Sequence, residues 1–212
     1  MSVAATVDHL PSAREAAPGR GQGGPAPTST IVTYGFWIFL LSDIVLFSAL
    51  FASYVVLAGN TAGGPGGKQL FNLLRVGIET GCLLLSSFTC GLLTMAAEMR
   101  RKPATYAAAA ITLVLGGAFL ALEITEFADM IGRGYGPSRS AFLSGFFTLV
   151  GAHGLHVTAG LIWLVVMVAQ VATRGFRPTT MRRLHCFGLF WHTLDIIWVA
   201  VFTVVYLMGS IS

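Results

Sequence analysis

Apolar residues fall into five runs, approximately Thr33 to Ala58, Val76 to Met99, Ala104 to Phe127, Ala141 to Thr173 and Leu184 to Met208. Each is close to or above the roughly 20 residues a helix needs to cross a bilayer. The runs lack the alternation of lipid-facing and lumen-facing positions that a membrane barrel requires, so they predict helices. Between them lie segments that cannot continue a helix, Gly59 to Gly67 and Gly132 to Pro137, and two basic turns, Arg100-Arg-Lys-Pro103 and Arg174-Gly-Phe-Arg-Pro178. The fourth run is the longest, which implies tilt or extension beyond the bilayer. Met1 to Thr30 is rich in Ala, Pro, Gly and Ser, has no continuous apolar stretch, and reads as a disordered tail without a secretory signal. The expected organisation is therefore a tail over residues 1–30 and an all-α membrane bundle of five helices over residues 31–212.

Composition agrees with that pattern. Of 212 residues only 13 are Lys or Arg and 9 are Asp or Glu, 55% are hydrophobic, and the mean hydropathy is +0.75. So few charges cannot cover a soluble globule of this length. The net charge of +4 does not indicate nucleic acid binding, because the basic residues sit in short clusters beside the apolar runs. They read as topology signals. Arg14, Arg20, Arg100, Arg101, Lys102, Arg174, Arg177, Arg182 and Arg183 fall on one side, against Lys68, Arg75, Arg133 and Arg139 on the other. The positive-inside rule then predicts a cytoplasmic N-terminus and an outward C-terminus.

Acidic residues behave differently, because five lie inside the runs and away from the basic turns: Asp43, Glu79, Glu123, Glu126 and Asp195. His153 and His156 lie in the fourth run, and His185 and His192 in or beside the fifth. Ionisable groups at membrane depth cost several kcal/mol, so these side chains are expected to face the bundle or a partner. At about 1.5 Å per residue, Glu79, Glu123 and Glu126 fall near the outer ends of their helices, where they could meet. Asp43, His192 and Asp195, with His153 and His156, fall deeper and form a candidate second layer. His153/His156, His192/Asp195 and Glu123/Glu126 are each three residues apart and so share a helix face. In the His192/Asp195 pair the carboxylate could fix the imidazole tautomer. An interhelical hydrogen-bond network is the favoured reading of these groups, with proton handling and metal ligation as the alternatives. Arg75, one turn before Glu79, either pairs with it or turns to the membrane interface and leaves the carboxyl uncharged.

Other chemistries find little support. The chain has His-x-x-His and Glu-x-x-Glu but no Glu-x-x-His of the di-iron type. It has no copper-type or iron–sulfur spacing, no nucleophile elbow and no phosphate loop. Cys82, Cys90 and Cys186 have no paired spacing and read as small packing residues. Gly145, Gly151, Gly154 and Gly160 suggest that a neighbouring helix approaches the fourth run closely. Without an internal repeat, a small proton or solute transporter is the weaker of the functional readings.

Several segments carry a resemblance. Gly35-Phe-Trp-Ile-Phe-Leu-Leu-Ser-Asp43, Ile78-Glu-Thr-Gly-Cys-Leu-Leu-Leu-Ser-Ser87, Gly136-Pro-Ser-Arg-Ser140, Gly151-Ala-His-Gly-Leu-His-Val157 and Trp191-His-Thr-Leu-Asp195 resemble the signature segments of subunit III of haem–copper terminal oxidases. The likeness extends over about Ile31 to Gly209. Five helices rather than seven, with Asn60-Thr-Ala-Gly-Gly-Pro65 and Val204-Val-Tyr-Leu-Met-Gly209, resemble the cytochrome bo-type ubiquinol oxidase branch more than the mitochondrial type. The resemblance implies an accessory subunit of a proton-pumping quinol oxidase in a bacterial inner membrane, with no catalytic residue, cofactor or metal of its own. It implies haem and copper in subunit I, association with subunits I, II and IV, bound phospholipid, and support of proton uptake. It further implies that Glu79 is the family's buried carboxylate, with Glu123 beside it. A cytochrome c oxidase or a nitric oxide reductase-associated homologue is the nearest alternative within the same fold.

Overall fold

The computed structural model describes residues 28–61 and 73–211. Residues 1–27 of the expected disordered tail, with Arg14 and Arg20, and Lys68 with most of the Gly-rich first loop lie outside the described residues, whereas residues 28–30, expected in the tail, open the first helix. Five long helices make up nearly all of the rest: α1 (Thr28–Leu57), α2 (Leu73–Glu98), α3 (Lys102–Gly132), α4 (Ala141–Arg174) and α5 (Pro178–Val201). The last continues through a π-helical turn, Phe202–Leu207, into Met208–Ile211. There are no strands among the described residues. The apolar stretches run Thr30–Leu57, Leu73–Glu98, Lys102–Gly132, Ala141–Arg174 and Pro178–Leu207, each long and apolar enough to cross a membrane.

Polar turns, prolines and a serine cap set the ends of these helices. At the end of α2, Arg101 N–H donates to Ala96 O at 3.0 Å and Arg100 N–H to Ala97 O at 2.9 Å. This doubly bonded stop puts Arg100 at φ 54°, a left-handed position usually filled by Gly. The end of α3 repeats the motif with Gly134 at φ 80°, where Tyr135 N–H reaches Met130 O at 2.9 Å. Ser140 caps α4, its Oγ accepting from Leu143 N–H at 3.2 Å. Pro103 and Pro178 open α3 and α5, where a missing N–H costs no helical bond.

Helices α2, α3, α4 and α5 close a ring, each packing on the next, and α1 lies outside it against α4 and α5. The side chains of Trp191, Trp198, Phe119, Phe146, Phe187 and Tyr206 fill the interior. Glycines set the distances between helices, and the four expected to admit a neighbour face three different helices, α1, α3 and α5. A Cβ on Gly145 would lie 3.5 Å from the Tyr54 backbone of α1, one on Gly151 would lie 3.7 Å from Phe127, and one on Gly154 would lie 2.6 Å from Glu123 Oε1. At Gly160 a Cβ would lie 2.8 Å from Trp191 Cζ3.

The outer surface is apolar, with Leu155 70%, Val114 68% and Leu74 76% exposed, as lipid contact allows. The described basic residues divide by end. Arg100, Arg101, Lys102, Arg174, Arg177, Arg182 and Arg183 lie at the α2–α3 and α4–α5 turns. His185 Nε2, 3.7 Å from Glu98 Oε1, ties these two turns to the same end of the bundle.

Candidate functional site

Near the other end, α2 and α3 bring three carboxyls together. Glu79, Glu123 and Glu126 are 0%, 2% and 5% exposed, and Glu79 is close enough for its charge to act on the other two. Arg75 does not turn to the interface. Its Nη2 donates to Leu122 O at 2.9 Å and to Thr125 Oγ1, clamping α2 to α3, while its Nε stands 3.6 Å from Glu79 Oε1. Neither oxygen of Glu79 has a hydrogen-bond donor among the described residues, and the same holds for Glu123 Oε2. Glu123 fits only because α4 offers Gly154 opposite it, where any side chain would overlap the carboxylate.

A fourth member of this cluster comes from α5. The π-helical turn, with Met208 N–H donating to Thr203 O, adds a residue to one helical turn and so rotates the residues beyond it. Tyr206 is thereby turned fully inward, and its hydroxyl donates to Glu126 Oε2 at 3.4 Å. Three carboxyls and a phenol thus share one buried region with the Arg75 guanidinium at its edge beside Glu79, an arrangement suited to holding and passing protons among oxygen atoms.

The deeper polar groups divide between two interfaces. Between α1 and α4, His156 Nε2 lies 3.8 Å from Asp43 Oδ1, while its Nδ1–H donates to Ala152 O at 2.7 Å. A carbonyl only accepts, so that bond assigns the proton to Nδ1. Between α2 and α5, His192 Nδ1 is 2.7 Å from Ser87 Oγ. The imidazole of His192 is therefore held by a hydroxyl across the interface, and not by Asp195 one turn along its own helix. Asp195 lies beside the same Ser87 hydroxyl, with Oδ1 unpaired among the described residues.

His153 stands apart from both pairs. It is fully buried, with neither ring nitrogen hydrogen-bonded among the described residues. Its surroundings are aromatic: Phe119 edge-on at 5.9 Å, Phe47 at 6.2 Å and Trp198 at 5.1 Å between ring centres.

The structure adds groups that the periodic pattern did not single out. Trp191 Nε1–H donates to Ser86 Oγ at 3.1 Å, Trp198 Nε1–H to Thr80 Oγ1 at 3.1 Å, and Thr89 pairs with Thr112 at 2.8 Å. The consecutive serines in the middle of an apolar helix were the available signal for Ser86 and Ser87. No three His, Cys, Asp or Glu side chains among the described residues are placed to hold a metal ion. The thiols of Cys82, Cys90 and Cys186 are free, and those of Cys90 and Cys186 are buried.

Residues 20–210 match the family described as cytochrome c oxidase subunit III. The chain belongs to that family. It is 49% identical over 211 residues, all of both chains, to the cytochrome bo(3) ubiquinol oxidase subunit 3 of Pseudomonas aeruginosa. It is 51% identical over 175 residues to the protein of that name from Pseudomonas putida, covering 82% of this chain and 84% of the relative. The quinol oxidase subunit 3 of Bacillus subtilis is 46% identical over 184 residues, covering 86% and 89%. The resemblance in the signature segments is thus borne out along almost the whole chain, and with five apolar helices it describes a multi-pass membrane protein.

Proposed function

We propose that this chain is the non-catalytic subunit III of a cytochrome bo-type ubiquinol oxidase in the inner membrane of a bacterium. The full-length identity of 49% to a subunit of that name carries the reading. In this role the chain stabilises the catalytic subunit, associates with subunits I, II and IV and with phospholipid, and leaves haem and copper to subunit I. Its N-terminus is cytoplasmic and its C-terminus faces outward, a reading supported by the basic residues gathered at the α2–α3 and α4–α5 turns.

Glu79, Glu123 and Glu126 are the groups suited to support proton uptake, since they gather several carboxyls and one phenol at the opposite end of the bundle. Asp43, His153, His156, His192 and Asp195 hold helices together. Support comes from their partners: Ser87, Asp43 and the aromatic cage around His153 all belong to neighbouring helices of this chain.

The test is purification of the chain with its native partners, followed by haem spectra, subunit identification and quinol-dependent oxygen consumption. The expected preparation contains haem and oxidises quinol. A haem-free complex overturns the proposal, and a haem-containing complex that oxidises ferrocytochrome c but not quinol moves it to the cytochrome c branch.

A further inference from the structure

The α2–α5 interface opens outward in a groove of about 500 Å³, lined by Leu84, Ser87, Phe88, Met95, His192 and Asp195 among others. Its position is what makes it unusual. Ser87 stands about midway along α2, and His192 and Asp195 about midway along the span Pro178–Leu207. Headgroups lie on the order of 10–15 Å away on either side, and acyl chains offer no hydrogen bond. Yet the half-buried side chains of His192 and Asp195 line the groove, the Ser87–His192 bond uses only one of the two ring nitrogens, and Asp195 Oδ1, buried beneath the groove, has no donor among the described residues. Polar groups at this depth are normally turned to protein.

The outward face of α2 beside the groove has the form of a helix-packing seam. Gly77, Gly81, Leu84, Phe88, Gly91 and Met95 recur at alternating steps of four and three, the spacing of a packed helix pair. Leu84, Phe88 and Met95 are 47%, 64% and 53% exposed. The Gly77-x-x-x-Gly81 pair is exposed, and a Cβ built on either glycine, or on Gly91, meets nothing within 4 Å. Small residues in this pattern let a second backbone approach closely, and no helix among the described residues fills that space.

We propose that this face, the α2 seam with the Ser87–His192–Asp195 groove, is where a transmembrane helix of another oxidase subunit docks, bringing a hydrogen-bonding side chain to the His192 and Asp195 pair at mid-membrane depth. Complementarity selects the occupant. A lipid tail fills the volume but cannot pair the carboxyl, and a headgroup that could pair it does not reach. A second copy of this chain would place acid against acid across the same groove.

The inference rests on the reading of the chain as an oxidase subunit, so the haem content of the unmodified complex is measured first. In the intact complex, a photoreactive benzoylphenylalanine at position 88 is irradiated and its adducts are sequenced. The expected adduct is a transmembrane peptide of another subunit. Lipid adducts alone, or an adduct to a second copy of this chain, overturn the proposal. In parallel, Gly81→Leu and Asp195→Leu should lower the amount of this chain recovered per haem at least tenfold. Gly117→Leu, at an equally open position on α3, should leave it within twofold. A preparation without haem sinks the subunit reading and the docking face with it. A haem-loaded complex that retains both seam variants at full occupancy sinks the docking face alone.

Discussion

Replacing Gly116 or Gly117 by Ala adds the same methyl group to adjacent positions of α3, and the structure requires opposite outcomes. A Cβ at Gly117 meets nothing within 4 Å, whereas one at Gly116 would stand 2.9 Å from Leu161 Cδ2 and 3.0 Å from both Cη2 and Cζ2 of Trp191. The leucine methyl can swing aside. The indole cannot, because Gly160 stands on its other side, where a Cβ would already be 2.8 Å from Cζ3. Its N–H is also anchored to Ser86, and the residue is 1% exposed.

Overpacking at such a site costs about 1–3 kcal/mol. Both substitutions share a helix-propensity gain of about 0.5–1 kcal/mol for replacing Gly by Ala, so the shared term cancels. Gly116→Ala should therefore be less stable than Gly117→Ala by about 1–3 kcal/mol. The assay is reversible unfolding in mild detergent by titration with a denaturing detergent, followed by tryptophan fluorescence. A double-mutant cycle with Trp191→Phe should remove most of the difference, since the clashing atoms belong to the six-membered ring of the indole. Equal stability of the two alanine variants, or a cycle with no coupling, would refute the view that Trp191 is wedged between two glycines.

Glu79→Gln should assemble with full haem and keep quinol turnover within about a factor of two, since 1 kcal/mol already corresponds to roughly fivefold; loss of oxygen reduction in the assembled, haem-loaded complex contradicts an accessory role. Arg75→Leu releases the α2–α3 clamp at Leu122 and Thr125, which thermal unfolding should register as a loss of about 1–3 kcal/mol. Adding Glu79→Gln should recover part of that loss, and a double variant no better than the single one would show that Arg75 acts on α3 alone. Tyr206→Phe removes a long hydrogen bond of 3.4 Å to Glu126 and should cost less than about 1.5 kcal/mol, and a larger loss on thermal unfolding would mean that the phenol does more than donate to Glu126. His192→Leu leaves the Ser87 hydroxyl without its partner and should impair assembly; normal assembly and melting temperature would end the assignment of that pair as a structural contact.

Much of the architecture can be read along the chain. The five apolar runs correspond to the five helices, with α4 the longest at 34 residues, because hydropathy and helix-breaking turns are local properties. The depth of Glu79, Glu123 and Glu126 was legible too, since a helix converts residue number into height at a fixed rise. Azimuth is harder to read. Height alone grouped Asp43 with His192 and Asp195, but a bundle has several interfaces at each level, and Asp43 meets His156 on α4 while His192 meets Ser87 on α2.

The sequence by itself determined the class of the protein, the number of its membrane spans, the levels at which polar groups enter them, and the family, through short segments where glycines, acids and histidines recur in order. Tertiary structure decided which of those groups touch. Arg75 reaches α3 because Leu122 and Thr125 lie within the length of its side chain. Tyr206 joins the acids because a π-helical turn, formed by a backbone bond five residues back, rotates the end of α5. Glu123 and Trp191 are admitted because Gly154, Gly116 and Gly160 stand opposite them. Each depends on where a second helix lies, and that position comes from packing over the whole bundle instead of from any pattern within one span.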